Sequence, residues 1–251
     1  MCLILFAYQK HPQYPLIVAA NRDEFYERRT RQAQYWLDAP NVLAGRDLEK
    51  LGTWMGVTKE GKFAALTNYR NPSEESKSRS RGEIVADFLT EHKLIDEYVS
   101  KLEKSRGQYP GYNVLFGTAE RMMYYSNVEN TSKELPSGIY GLSNHLLDTP
   151  WPKVRRGKEQ LRQALQNGNL QENLFKILHD QLIAKDEDLP NTGVGLEWER
   201  LLSPLFIQSE HYGTRASTVL LVDVNGNVHF TERTFSSRGF EEENKYTIRL
   251  N

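Results

Sequence analysis

The chain opens on two nearly continuous apolar runs, Cys2–Gln9 and Leu16–Asn21, split by the turn at His11-Pro12-Gln13. Strands that do not alternate between apolar and polar residues are covered on both faces. A layer must therefore lie on each side of this opening hairpin. Later segments supply the layers. Thr53–Thr58 and Phe63–Tyr69 flank Lys59-Glu60-Gly61-Lys62 as a second hairpin, and Thr218–Val224 and Asn227–Thr234 bracket Asn225-Gly226 as a third. Single strands are expected at Asn113–Thr118, Met122–Asn127, Ile139–Ser143 and Lys245–Leu250.

Helices fall between these groups. Ser80 and Glu83 have capping-box spacing, and Ile84, Val85, Phe88 and Leu89 then recur at helical intervals. Leu94–Lys104, Val154–Leu165 and Leu170–Leu182 read as further amphipathic helices, the last two separated by Asn167-Gly168-Asn169. The order is strands, helices, strands, helices, strands. That segregation predicts an α+β fold, a four-layer α-β-β-α sandwich of antiparallel sheets. No repeat and no Pro- or Gly-rich linker divides residues 1–251, so a single domain is expected.

Charge narrows the function. Lys and Arg number 32 against 33 Asp and Glu, leaving a net charge of −1 and no basic excess for a nucleic-acid backbone. The one cysteine excludes an internal disulfide and favours a reducing compartment, so a cytoplasmic protein is expected. The opening apolar run is too short to span a membrane and no basic segment precedes it. No His-x-x-x-His or Cys-x-x-Cys spacing points to a metal, and Gly193-Val194-Gly195 reads as a turn. The charge-dense stretch Asn71–Arg81 reads as a solvated loop, and no feature specifies an oligomer.

The lone cysteine is Cys2. Removal of Met1 would leave a chain that begins with a thiol and a free α-amine. The amine titrates near ~7.7–8.0 and the thiol near ~8.5, so the two form a nucleophile with a built-in base. The plain structural alternative is a small buried hydrophobe in the first strand. Four polar elements sit where strands end: Asn21-Arg22-Asp23-Glu24, Thr67-Asn68-Tyr69, Ser143-Asn144-His145 and Gly213-Thr214-Arg215-Ala216-Ser217. They offer an aspartate to fix the amine, amides to donate to an oxyanion and a guanidinium to favour a thiolate. Trp36, Trp54, Tyr69 and Trp151 flank these elements as candidate pocket walls, and His145 adjoins Asn144. A papain-like Cys–His pair fits less well, because such a thiol gains from a helix N-terminus and Cys2 opens a strand.

Met1-Cys2 together with Ala19-Ala20-Asn21-Arg22-Asp23-Glu24 resembles the signature of the NRDE family, the transport-and-Golgi-organisation proteins. Gly141-Leu142-Ser143-Asn144 and Gly213-Thr214-Arg215-Ala216-Ser217-Thr218-Val219 match two further motifs of that family. The family in turn is similar to cysteine-type N-terminal nucleophile (Ntn) hydrolases. The resemblance puts Cys2 on the nucleophile, Asp23 on the aspartate that holds the amine, and Asn68 and Asn144 on the oxyanion donors. Arg215 falls on the late arginine. Asn21, Arg22, Trp54, Tyr69 and His145 are then expected against the substrate. One departure stands out: Ala20 occupies a position where those enzymes carry arginine, and Arg22 is expected to leave the strand on the opposite face. The implied activity is hydrolysis of a linear, non-peptide amide or acyl substrate, with no cofactor and no metal. Family members linked to haem trafficking imply an alternative, a non-enzymatic carrier of haem or an acyl ligand in the same pocket.

Overall fold

The computed structural model describes residues 2–75 and 77–250. Strands β1 (Cys2–Tyr8) and β2 (Leu16–Phe25) form the opening hairpin; β3 (Thr30–Tyr35), β4 (Val42–Asp47), β5 (Met55–Thr58) and β6 (Phe63–Asn68) follow. Helices α1 (Gly82–Thr90) and α2 (Ile95–Ser105) precede β7 (Tyr112–Gly117), β8 (Met122–Ser126), β9 (Thr131–Glu134) and β10 (Gly138–Leu142). Helices α3 (Pro152–Ala164), α4 (Leu170–Leu178) and α5 (Leu196–Leu201) then lead to β11 (Tyr212–Val222), β12 (Asn227–Ser236) and β13 (Gly239–Arg249). One sheet runs β10-β1-β2-β11-β12-β13 and the other β3-β4-β5-β6-β7-β8-β9; every pairing is antiparallel.

The apolar runs explain the layering. On β1, Ile4, Phe6 and Tyr8 pack toward the second sheet, against Met55, Val57, Ala65 and Leu115. Their neighbours Leu3, Leu5 and Ala7 pack toward Val154 and Leu161 of α3 and Leu174 of α4. The second sheet is covered in the same way, with Ala64, Leu66, Val114 and Phe116 under Ile84, Val85 and Phe88 of α1. The result is the α-β-β-α sandwich. Each fully buried side chain such as Phe6 or Phe230 contributes about 1.5–3 kcal/mol to holding it.

Among the strands and α-helices, four were not anticipated: β3, β4, β9 and α5. In addition, β2 continues through Phe25, well past Asn21, and α4 stops at Leu178. The extension of β2 matters most, because it makes Asn21-Arg22-Asp23-Glu24 part of a strand rather than of a loop. Two glycines shape the same end of the molecule. A Cβ on Gly52 would lie 2.4 Å from the Gly82 carbonyl carbon, so only glycine lets the segment before β5 touch the start of α1. Among the described residues no helix is long and apolar enough to cross a membrane.

Candidate active site

Where β1 begins and β2 ends, the two sheets part around a cleft of about 580 Å³. The strand period of two deals the residues of β2 alternately to its two faces. Asn21 faces the helices. Its amide donates to the Leu178 and Leu205 carbonyls, both at 2.8 Å, and its oxygen accepts from the Ser217 hydroxyl at 2.6 Å. Arg22 faces the cleft, directly across from Cys2 in the β1–β2 register. Asp23 returns to the face of Asn21, where its Oδ1 accepts from the Thr214 hydroxyl at 2.8 Å. Glu24 turns back toward Arg22, 3.8 Å away.

This corrects the expectation for Arg22. Positions 20 and 22 are two apart and share a face; Ala20 lies opposite Ile4, and Arg22 lies one step nearer the mouth, opposite Cys2. The guanidinium beside the thiol is therefore that of Arg22. Arg215 sits at a bulge in β11 and serves a different purpose. Its Nη1 donates to the carbonyls of Phe25, Tyr26 and Arg28 at 3.0, 3.1 and 3.1 Å, tying down the segment that follows β2.

Cys2 is 8 % exposed and lines the cleft. Burial pushes its thiol up, Arg22 pulls it down, and Asp23 and Glu24 add to the rise. Desolvation of the thiolate outweighs the adjacent guanidinium, so the thiol needs further positive charge to ionise. Burial likewise pushes the Asp23 carboxyl up. Met1, and with it the expected processing to a free amine on Cys2, lies outside the described residues.

The other expected residues divide. Asn68 and Trp54 line the cleft with Cys2, Arg22, Asp23 and Arg215. Asn144 is fully buried and donates to the Asn68 carbonyl at 3.0 Å, while Ser143 Oγ lies 3.3 Å from the Cys2 carbonyl oxygen. The Ser143-Asn144 pair thus clasps the ends of β1, β6 and β10 together. Tyr69 and His145 bond each other at 2.9 Å, outside the cleft, and Thr149 holds the other ring nitrogen of His145 at 2.9 Å. Asn21 is likewise turned away from the cleft. Trp36 packs under Arg46, and Trp151 under Arg70.

Arg81 and Glu232 are among the cleft residues that the sequence did not single out. Arg81 lines the wall and donates to the Gly111 carbonyl at 3.1 Å. Glu232 is 3 % exposed, and its Oε1 accepts from the Ala33 N–H at 2.6 Å. Burial pushes the Glu232 carboxyl up to about 7, with Arg22 opposing. A signal for it existed: Val228, Phe230 and Glu232 fall in one phase of β12, so the carboxylate occupies an inward position. Among the described residues no group of three or more His, Cys, Asp or Glu side chains is placed to hold a metal ion.

Two stacked antiparallel sheets with helices packed on their outer faces are the arrangement of the Ntn-hydrolase fold. Solved structures agree on the fold. The N-acylethanolamine-hydrolyzing acid amidase ortholog of Caenorhabditis elegans superposes with a TM-score of 0.52 at 10% identity, covering 88% of this chain and 92% of its own. A variant of the conjugated bile acid hydrolase of Clostridium perfringens also gives 0.52, at 9% identity over 98% and 96%. Within that class the chain belongs to the TANGO2 family, Transport and Golgi organisation 2, whose family model matches residues 1–237. It is 35% identical to the Transport and Golgi organization 2 homolog of Mus musculus, over 100% of this chain and 99% of the relative. It is 35% identical to the Homo sapiens homolog, over 95% and 94%.

Proposed function

We propose that this protein is an Ntn-type hydrolase acting on a linear, non-peptide amide or acyl substrate through Cys2. The observation that carries the reading is the placement of the Cys2 thiol on the cleft face of β1, opposite Arg22, with Asp23 behind it. In the proposed reaction, after removal of Met1, the Cys2 sulfur bonds to the substrate carbonyl carbon, and the thiol proton passes to the freed α-amine, held by Asp23. Asn68 on the cleft wall stabilises the oxyanion, and Asn144 holds the Asn68 main chain in place. The C–N bond then breaks, the amine leaves with the relayed proton, and water hydrolyses the thioester. Because burial raises the thiol, the attacking thiolate forms only with the help of Arg22 and the amine. The two structural neighbours are named for hydrolysing an N-acylethanolamine and a conjugated bile acid, which favours amides outside peptides.

The test is incubation with N-acylethanolamines and N-acyl amino acids, followed by amine release and intact mass. Wild type should gain the mass of the acyl group in a thioester, and Cys2→Ala should lose turnover by ~10⁴-fold or more. The arginine-lined cleft favours one second reading, a carrier that holds haem or an acyl compound there. There the arginines would meet the anionic end of the ligand, and Trp54 and Phe235 its apolar part. Product from no amide, with undiminished ligand binding by Cys2→Ala, would decide for the carrier.

A further inference from the structure

Small-molecule sites are lined mostly by apolar side chains with a few polar groups among them. The Cys2 cleft is the reverse. Its walls carry Arg22, Arg31, Arg81 and Arg215, and among the described residues the β1–β2 sheet gives it one large apolar side chain, Phe235. Phe235 also lines a second cavity, of about 410 Å³, between α4 and the β12–β13 hairpin. No other described residue lines both.

Strand pairing explains this double position. Strands β12 and β13 shift register between Thr234 and Phe235, and a bulge re-aims the side chains beside it. Thr234 and Ser236 line the cleft, whereas the Phe235 ring reaches Phe206, with 4.9 Å between ring centroids. His179 and Phe240 extend the aromatic surface, His179 at 4.4 Å from Phe206 and Phe240 at 6.1 Å from Phe235. The charges around this groove are spent on one another. Arg233 lies 3.9 Å over the Phe175 ring and donates to Glu243 at 2.6 Å and to Glu172 at 2.9 Å. Phe240 is 61 % exposed, so the outer wall of the groove is an apolar surface with nothing on it.

We propose that the two cavities form one ligand site joined at Phe235. The carbonyl end of a linear acyl compound sits in the Cys2 cleft, and its apolar chain continues past Phe235 into the aromatic groove, which makes long-chain acyl amides the substrate class. The position of the carbonyl rests on the hydrolase reading; the affinity of the groove for the chain does not. Register sets the length required. Cys2, Arg22, Ala216 and Thr234 stand side by side in one row across β1, β2, β11 and β12. Three strand spacings separate the ends of that row, about 14 Å. An all-trans carbon chain advances roughly 1.2 Å per bond, as do the three backbone bonds of a fully extended residue. A chain therefore needs about twelve carbons to reach Phe235, and a few more to lie in the groove beyond.

Calorimetric titration of the full chain carrying Cys2→Ala, which lacks the thiol, with N-octanoyl-, N-dodecanoyl- and N-hexadecanoylglycine tests this. Each buried methylene is worth roughly fourfold in affinity, so the step from dodecanoyl to hexadecanoyl should gain about tenfold or more even in a half-open groove. Adding Phe240→Glu, which sets a charge on the outer wall, should remove most of that gain and leave octanoyl affinity unchanged. Phe240 is largely exposed, so this change leaves the fold intact. Adding Phe235→Trp instead, which narrows the passage, should have the same effect. Equal affinity for dodecanoyl and hexadecanoyl overturns the proposal, as does a gain that survives either change or an absence of binding by all three compounds. Glycine release by wild type, followed in parallel, separates the two readings. No release ends the hydrolase reading and leaves the chain-length result standing; release without the gain ends this proposal and leaves the hydrolase.

Discussion

At the mouth of the molecule the two faces of β2 do opposite work within four consecutive residues. The helix-side face holds Asn21 and Asp23, both buried and both bonded to neighbours fixed by the fold. The cleft face holds Arg22 and Glu24, linked to each other only at 3.8 Å and open to a ligand. The contrast shows that a compact sequence signature need not be one site. Alternate members of Asn21-Arg22-Asp23-Glu24 secure the wall and furnish the cavity. A change at Asn21 should cost stability; a change at Arg22 should alter chemistry.

The largest effect expected is from Asn21→Leu. It leaves the Leu178 and Leu205 carbonyls and the Ser217 hydroxyl without their partner. At about 1–3 kcal/mol for each abandoned group the loss comes to about 4 kcal/mol, or roughly 10 °C in melting temperature for a chain of this size. Cys2 alkylation by the protein that remains folded should be unchanged. A melting temperature equal to wild type would erase the division between the faces.

Glu232→Gln sharpens the cleft side. A carboxyl raised from 4.5 to about 7 binds its proton more tightly folded than unfolded. Its contribution is therefore present at acid pH and lost as pH rises through that interval. Gln keeps an acceptor for the Ala33 N–H and does not titrate. The variant should gain up to about 3 kcal/mol over wild type at pH 8 and nothing at pH 4. Thermal melts at the two pH values check this, and an equal difference at both would place the Glu232 titration elsewhere.

The smallest effect on stability belongs to Arg22→Gln, within about 1 kcal/mol, because the residue makes no close ion pair. Its chemical signature is clearer. Without the guanidinium the thiol rises further, and iodoacetamide labelling of Cys2 at pH 7 should slow by roughly threefold to tenfold. Labelling at the wild-type rate would return the activating role to another cation, with Arg81 next in line.

Much of the fold was legible because its inner strands are apolar on both faces: β1, β2, β7 and β8 announce two covering layers by composition alone. What escaped was polar for a reason. Strand β3 carries Thr30, Arg31 and Gln32 to the cleft and so lacks an apolar period, and in β4 the apolar stretch Val42-Leu43-Ala44 is only three residues long before Arg46 and Asp47 reach the cleft. Strand β9 is a short polar edge, and α5 is a single short turn-and-a-half of helix. At the site, Cys2, Arg22, Asp23, Asn68, Trp54 and Arg215 share the cleft. Asn21, Tyr69, Asn144 and His145 are neighbours in sequence to cleft residues and are spent on bonds around it. Proximity along the chain identified the region; only the strand period and register assign each side chain to a face.

Ala33 of β3 is gripped twice by the opposite sheet: its N–H is taken by Glu232 and its carbonyl receives the Tyr246 hydroxyl at 2.9 Å. Apolar surfaces pressed together resist separation far better than they resist sliding, since one register of methyl groups fits nearly as well as the next. Hydrogen bonds are directional and tolerate no such slip. A single alanine therefore acts as a dowel across the slip plane. It fixes the lateral alignment of the sheets on the β3–β12 flank, and so the gauge of everything that opens beside it.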